Sequence, residues 1–494
     1  MARFGWKTGA VVVVVAMAVL VGMMVLSSRS HDEPAASPGK TTPAAVTDLQ
    51  FGVWGSKQEV AAYQGVVDDY NASSTDTRVT VKAWSSADAM LADVRNEKAR
   101  PDLYLLPRSE LAESMEAKRN RPLLDLLDAR KIPIGDDFAR DAVSAFSVND
   151  DLQCMPYASA PMVIYYNTKL IDFDQMDAAD LPTPNRQHTA WNLAEFRAAA
   201  EFASRPRQKT RGVYIEPTLR GLAPFIYSGG GKVFDDDNDP TSLALADGDS
   251  VDSLRRTLEV LRDPRLTLTA KQLAKRPALD WFKRGRLGMI AGFRNMTPEL
   301  RATKGLDFDV MPMPNMGDYT TVGDLTGVCL MAGRPQRVEA SANFLTYLIS
   351  DEAVARVSAT GYLQPAKQTV SLGPDFQQPG QMPEHAAVFT DAVRRMVLPP
   401  LLDDGSALAT LINPEIDGLF TAPTLPDLEE ALKAIDEKSQ TLLDPDDQAD
   451  ESDGASDTAS SSGSPSGSSS SSPSGTSSRS TEPTGAATDD RKRD

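Results

Sequence analysis

The chain has 494 residues, 41% hydrophobic and 24% charged, enough for at least two globular domains with a sizeable core. Its net charge of -18 argues against a nucleic-acid backbone as partner, because no basic surplus exists to displace counterions, and it mildly disfavours anionic ligands.

Residues 1–30 carry Arg3 and Lys7 ahead of an uncharged apolar run from about Ala10 to Leu26. This is the pattern of an export signal or an uncleaved anchor, with the basic end cytoplasmic and everything downstream outside. Residues 31–46, rich in Pro, Ala and Ser, read as a linker, and 445–494, rich in Ser, Gly and Asp, as a disordered tail with almost nothing to bury. Between them, 47–443 form the structured body, with no internal repeat.

Within that body "LQFGVWG" (49–55) predicts a strand, and "KQEVAAYQGVVDDYNA" predicts a helix through the spacing of Val60, Tyr63, Val66, Val67 and Tyr70. "RVTVKAW" is a second strand, "SADAMLADVRNE" a helix capped by Ser86, and "DLYLLP" a third strand. Such alternation predicts an α/β domain with a mainly parallel sheet, whose ligands sit at the carboxyl ends of the strands. Those ends are Trp54-Gly55-Ser56, Trp84-Ser85-Ser86 and Leu106-Pro107. Farther on, "TAWNLAEFRAAAEFAS" (189–204) predicts a helix capped by Thr189, "APFIYSGGGKVFDDDNDP" a helix ending in a glycine turn, and "ALDWFKRGRLGMIAGF" a helix, a turn at Gly285 and a strand. "FDVMPMP" and "TGVCLMA" are further strands, "RVEASANFLTYLISDEAVARVSATG" is helical with a break near Ser350, and Pro383 to Leu443 read as helical.

Catalytic and metal signatures are weak. "SGGGK" lacks the phosphate-loop pattern, with Ile226 where its first Gly belongs and Val233 after Lys232. "DDDNDP" (235–240) has Pro240 where a calcium loop needs Gly. His31, His188 and His385 are the only histidines, none in a metal-ligand spacing, and no G-x-S-x-G elbow occurs. No catalytic residue, metal or cofactor is therefore expected.

The ordered set "FGVWGSKQEV", "PDLYLLP", "MPYASAPMVIYYNTKL", "TAWNLAEF", "GGGKVFDDD", "FKRGRLGMIAGF", "FDVMPMP", "TGVCLMA", "EASANFLTYLIS" and "GYLQPAK" resembles extracellular solute-binding proteins of bacterial ABC transporters, in the sugar-binding group that includes maltose-binding protein. The resemblance covers roughly 47–443. It implies a two-lobed periplasmic-binding-protein-like fold of type II with hinge strands, lobe 1 from about 47–155 plus 325–400 and lobe 2 from about 156–324 plus the C-terminal helices. The chain would cross between lobes at "MPY", and "VIYYN" would open the second lobe. The first cysteine is Cys154, so a helix anchor is implied in place of a lipid-modified cysteine, and Arg294 stands where the family often has tryptophan.

A pyranose offers apolar C–H faces and a rim of hydroxyls, so its site needs flat aromatic surfaces bordered by carboxylates, amides and Arg. With the resemblance, this marks Trp54, Tyr157, Trp281 and Arg294 as candidate ligand contacts. Ser56, Glu59, Pro107, Gly230, Asp324 and Tyr362 complete the set. Trp54 and Trp281 also read as core residues, Trp191 as core packing, and Glu59 equally as a solvated first-turn acid that complements a helix dipole. Cys154 and Cys329 lie on strands that the resemblance sets side by side, and a disulfide or two buried thiols are both open there.

The expected function is capture of a carbohydrate or polyol in an interlobe cleft by hinge closure, with presentation to ABC permease subunits by a monomer outside the cytoplasm. A tethered sensor or assembly module of the same fold is the alternative, and a two-carboxylate glycosidase a remote third.

Overall fold

The computed structural model describes residues 46–445 other than 136, 403, 404, 425 and 426. The export segment, most of the linker and the Ser-rich tail lie outside the described residues. In chain order the principal elements are β1 (Thr47–Trp54), α1 (Lys57–Ser73), β2 (Thr77–Trp84), α2 (Ala87–Arg95), β3 (Leu103–Pro107), β4 (Met155–Pro161) and β5 (Val163–Asn167). They continue as α3 (Leu193–Ala203), β6 (Arg211–Tyr214), α4 (Leu219–Ser228), α5 (Gly248–Leu261), β7 (Leu287–Gly292), β8 (Phe308–Met311) and β9 (Thr321–Met331). The last are α6 (Pro335–Leu348), α7 (Asp351–Ser358), β10 (Gln364–Pro365), α8 (Gly405–Thr421) and α9 (Leu428–Leu443). Among the described residues no helix is long and apolar enough to cross a membrane.

Two compact units share this chain. The first takes the residues up to Ala160, Arg294–Pro298 and Asp324–Gln381; the second takes Pro161–Phe293, Glu299–Gly323 and the residues from Met382. Residues 382–400, assigned with lobe 1 from sequence, pack with the second unit. There the backbone N–H of His385 donates to Asp309 Oδ1, and a short strand, Met396–Val397, pairs with Thr321 and Val322.

In the first unit β1 pairs in parallel with β2, Leu49 beside Val79 and Trp54 beside Trp84, and also with β3 through Phe51 and Leu103. The sheet runs β10-β4-β9-β3-β1-β2, with β9 antiparallel to β3. Helix α1 covers it with Tyr63, Val66, Val67 and Tyr70, buried at the i, i+3, i+4, i+7 spacing of one helix face. Tyr70 and Phe51 both meet Phe344 of α6, with ring centroids 4.9 and 5.6 Å apart. A disulfide joins Cys154 to Cys329 across a Cα separation of 4.3 Å. Behind it Asn120 donates to Cys154 Sγ at 3.6 Å and accepts from Tyr104 and Ser114, so this part of the interior carries a connected polar network.

The second unit is built on a four-stranded sheet, β8-β5-β7-β6, in which β5 runs antiparallel to both neighbours and β6 parallel to β7. Its core gathers Ile164, Phe196, Val213, Phe225, Leu254 and Met289 with the apolar stripes of α8 (Leu408, Ile412, Ile416, Leu419) and α9 (Leu428, Leu432, Ile435). Trp191 lies in this core, its Nε1 donating to the Pro312 carbonyl at 2.7 Å. Helix α3 starts later than the sequence suggested. Asn192, not Thr189, is its cap, because Asn192 and Glu195 form the reciprocal capping box. Asp235 turns its carboxylate onto the backbone N–H groups of Asp236, Thr241 and Ser242, closing its loop.

Candidate functional site

The carboxyl ends of β1 and β3, with the start of the first-unit part of β9, form one edge of the first sheet. Parallel register brings Trp54 and Trp84 side by side as the last residues of their strands. Side chains of paired residues leave the same face of a sheet, so both indoles lie on one face. Both are half-buried. Trp54 Nε1 donates to the Leu105 carbonyl at 3.3 Å and Trp84 Nε1 to Asp93 Oδ2 at 2.9 Å, so each ring is held by its polar tip. Lys82 lies 4.8 Å from the centre of the Trp84 ring, covering one of its faces.

Immediately after Trp54 the chain turns into α1 through Gly55, whose φ of +136° is open to glycine alone. A Cβ there would sit 2.7 Å from Glu59 Oε2. Ser56 caps the helix, accepting from Glu59 N at 3.3 Å, while Glu59 Oε2 accepts from Ser56 N at 2.8 Å. Glu59 is thus a cap residue held at the sheet edge rather than a solvated acid. Burial pushes its carboxyl above the ordinary value, and the two Ser56 hydrogen bonds pull the other way. One residue before it, Gln58 accepts from the Tyr362 hydroxyl at 2.9 Å, which brings a third aromatic ring to the first turn of α1.

Pro107 ends β3 and pairs with Thr326 of β9. Asp324, two residues earlier and exposed, therefore lies at the same edge. In one unit this edge collects Trp54, Ser56, Glu59, Pro107, Asp324 and Tyr362 from the sequence set, and adds Trp84 and Gln58. Flat rings beside carboxylates, an amide and a hydroxyl are the groups that bind the two kinds of surface a sugar presents.

A family model described as bacterial extracellular solute-binding protein matches residues 65–384. The chain belongs to this family. No curated protein matches its sequence. Among solved structures it is similar to the ABC substrate-binding protein Lmo0181 of Listeria monocytogenes, in complex with cycloalternan, at 17% identity and a TM-score of 0.68 over 81% of this chain and 98% of that one. The GacH receptor of Streptomyces glaucescens, solved unliganded and with acarbose, matches at 18% identity and a TM-score of 0.64 over 81% and 99%. The sugar-binding protein MalE of Xanthomonas citri matches at 14% identity and a TM-score of 0.67 over 82% and 99%. These likenesses establish the two-lobed fold, and the family is one of solute-binding proteins, not of enzymes. Membership makes this an extracellular protein that binds a solute.

The other sequence candidates of this solute-binding protein lie elsewhere. Tyr157 is 1% exposed, with its ring 6.1 Å from that of Tyr63 and its hydroxyl without a hydrogen-bond partner. Arg294 is also 1% exposed; its guanidinium lies 4.6 Å over the Phe376 ring and donates to the Phe376 carbonyl at 3.0 Å. Gly230 and Trp281 belong to the second unit. Gly230, at φ +90°, forms the turn that ends α4, and Trp281 donates to the Gln272 carbonyl at 3.3 Å beside Arg276.

Spacing along the chain concealed one more cluster. His188, Asp309 and His385, all in the second unit, bring their ligand atoms within 4.8 Å of one another. Trp84 was visible as a strand end, and Gln58 carried no signal of its own, since its role depends on Tyr362, 304 residues away.

Proposed function

We propose that this protein captures a neutral carbohydrate or polyol and delivers it to an ABC permease, acting as a monomer tethered outside the membrane by its N-terminal segment. The observation that carries the ligand class is the register pair Trp54 and Trp84 at the carboxyl edge of the first sheet, bordered by Glu59, Gln58, Asp324 and Tyr362. Stacked C–H faces account for affinity and the polar rim for orientation. An acidic chain with carboxylates at this edge disfavours anionic solutes. Cycloalternan and acarbose, bound by two proteins of the same fold, are oligosaccharide-like ligands and support the class.

Calorimetry against a panel of oligosaccharides, polyols, amino acids and polyamines tests the reading. A saccharide or polyol should bind, and Trp54→Ala should weaken it at least tenfold, about 1.4 kcal/mol. Binding by cationic ligands alone would overturn the ligand class. Delivery is tested separately, since uptake of that solute should fall in cells lacking the protein.

A further inference from the structure

The second unit contains a cluster that solute capture does not use. Its histidines are two of the three in the whole chain, 197 positions apart in sequence, yet their rings stack with centroids 3.8 Å apart. Beside both rings lies Asp309 on β8, 5% exposed. Its Oδ2 lies 2.6 Å from His385 Nδ1 and 3.7 Å from His188 Nδ1. Its Oδ1 accepts from the backbone N–H groups of Val310 at 2.9 Å and His385 at 3.0 Å. One carboxylate oxygen thus orients the group while the other faces both imidazoles.

Hydrogen bonding alone satisfies only half of this arrangement. His385 Nδ1 pairs with Asp309, whereas His188 Nδ1 is buried and makes no hydrogen bond. An unsatisfied buried nitrogen costs about 1–3 kcal/mol. Protonating both rings would set two cations against one carboxylate. His188 is also held at φ +56°, a left-handed backbone conformation uncommon outside glycine.

We propose that His188, Asp309 and His385 form a binding site for a divalent transition-metal ion of the zinc class. Two imidazoles and one carboxylate are the donor set that suits zinc and its first-row neighbours, and calcium and magnesium call for more oxygen ligands. Ligands at about 2.0–2.2 Å from a tetrahedral ion stand about 3.4 Å from each other. The distances of 2.6 and 3.7 Å lie on either side of that value and all ligand atoms fall within 4.8 Å of one another, so shifts of about an ångström, with rotation of the two rings out of their present stack, complete the site. The ion replaces the proton between His385 and Asp309 and gives His188 a partner. The Asp309 Oδ1 bonds are the outer support that metal-ligating groups need. The bound ion would tie the loop before α3 and the segment after Met382 to β8.

Equilibrium dialysis of the full chain, purified on a histidine-free tag and stripped with EDTA, tests the proposal with zinc chloride. One saturable equivalent should bind, and His188→Gln and His385→Gln should each weaken it at least tenfold. Absence of a saturable equivalent below about 100 µM, or equal binding by the double variant, would overturn it. A second measurement needs no variant. The three histidines give three imidazole Hε1 proton signals, and zinc should move two together and leave the third, from His31, in place. Movement of the third alone, or of none, would equally refute the site.

Discussion

Reducing the Cys154–Cys329 bridge should cost the first unit about 3 kcal/mol, and the reason lies in what the bridge encloses. Its sulfurs are separated by 175 residues, and a loop of that length, fully flexible when unfolded, corresponds to about 5 kcal/mol of chain entropy. Most of that loop is not flexible while the second unit stays folded. Residues 161–293 and 299–323 belong to that unit, leaving about 17 residues free when the first unit unfolds alone. A loop of about 17 residues gives about 3 kcal/mol. Urea unfolding of the oxidised protein, the reduced protein and the Cys154→Ala/Cys329→Ala variant measures it, followed by circular dichroism and by tryptophan fluorescence. Two transitions are expected, with only that of the first unit moving to lower urea. A loss below about 1 kcal/mol, or a loss near 5 kcal/mol in a single transition, would refute independent unfolding of the two units as the source of the smaller figure.

Gly55→Ala should destabilise the first unit by about 2–4 kcal/mol, combining a forbidden φ with a displaced Glu59 cap, and a loss under about 0.5 kcal/mol in urea would contradict the close approach. Burial raises the Asp436 carboxyl of α9 from 3.8 to about 6, against the hydrogen bonds it accepts from Ala246 and Leu245 and together with the nearby Asp235 and Glu437. Between those values the folded chain binds a proton that the unfolded chain does not, so this stabilising contribution is present at low pH and lost as pH rises through about 6. Asp436→Asn should remove that slope, and parallel stability profiles of variant and parent from pH 4 to pH 7 would count against it. Deleting the residues after Pro445 should leave the melting temperature within about 2 °C and ligand affinity unchanged, whereas a larger fall would mean that the tail packs on the body.

Much of the fold is legible in sequence because its signals are local. The stripe Tyr63, Val66, Val67, Tyr70 marks α1, Ser86 caps the helix it was expected to cap, the break expected near Ser350 falls there with Ser350 capping α7, and Gly285 turns the chain between a helix and β7. Where a nearer cap competed, as Asn192 did with Thr189, the residue with a reciprocal Glu three positions on prevailed. The short strand Met396–Val397 escaped notice because two residues carry no period and owe their conformation to Thr321 and Val322. Half of the candidate site could be read from the ends of β1 and β3. Trp84 joins it through register with Trp54, and Gln58 through Tyr362, both being facts of tertiary pairing. His188, Asp309 and His385 share no local pattern whatever, and only the packing of β8 reveals them.

The interleaving of the two units governs how the chain can mature. The first sheet needs β9, whose first-unit part begins at Asp324, and the second core needs α8 and α9, which end at Leu443. Neither unit is therefore complete until nearly the whole body has emerged on the far side of the membrane. A chain that cannot finish folding early remains threadable, as export through a narrow conduit requires. Throughout that interval Cys154 waits for Cys329, and with no other cysteine in the sequence an oxidant can close only one bridge within the chain. Quality control at this step can rely on a single event, the arrival of β9 beside β4, which brings the second sulfur to the first.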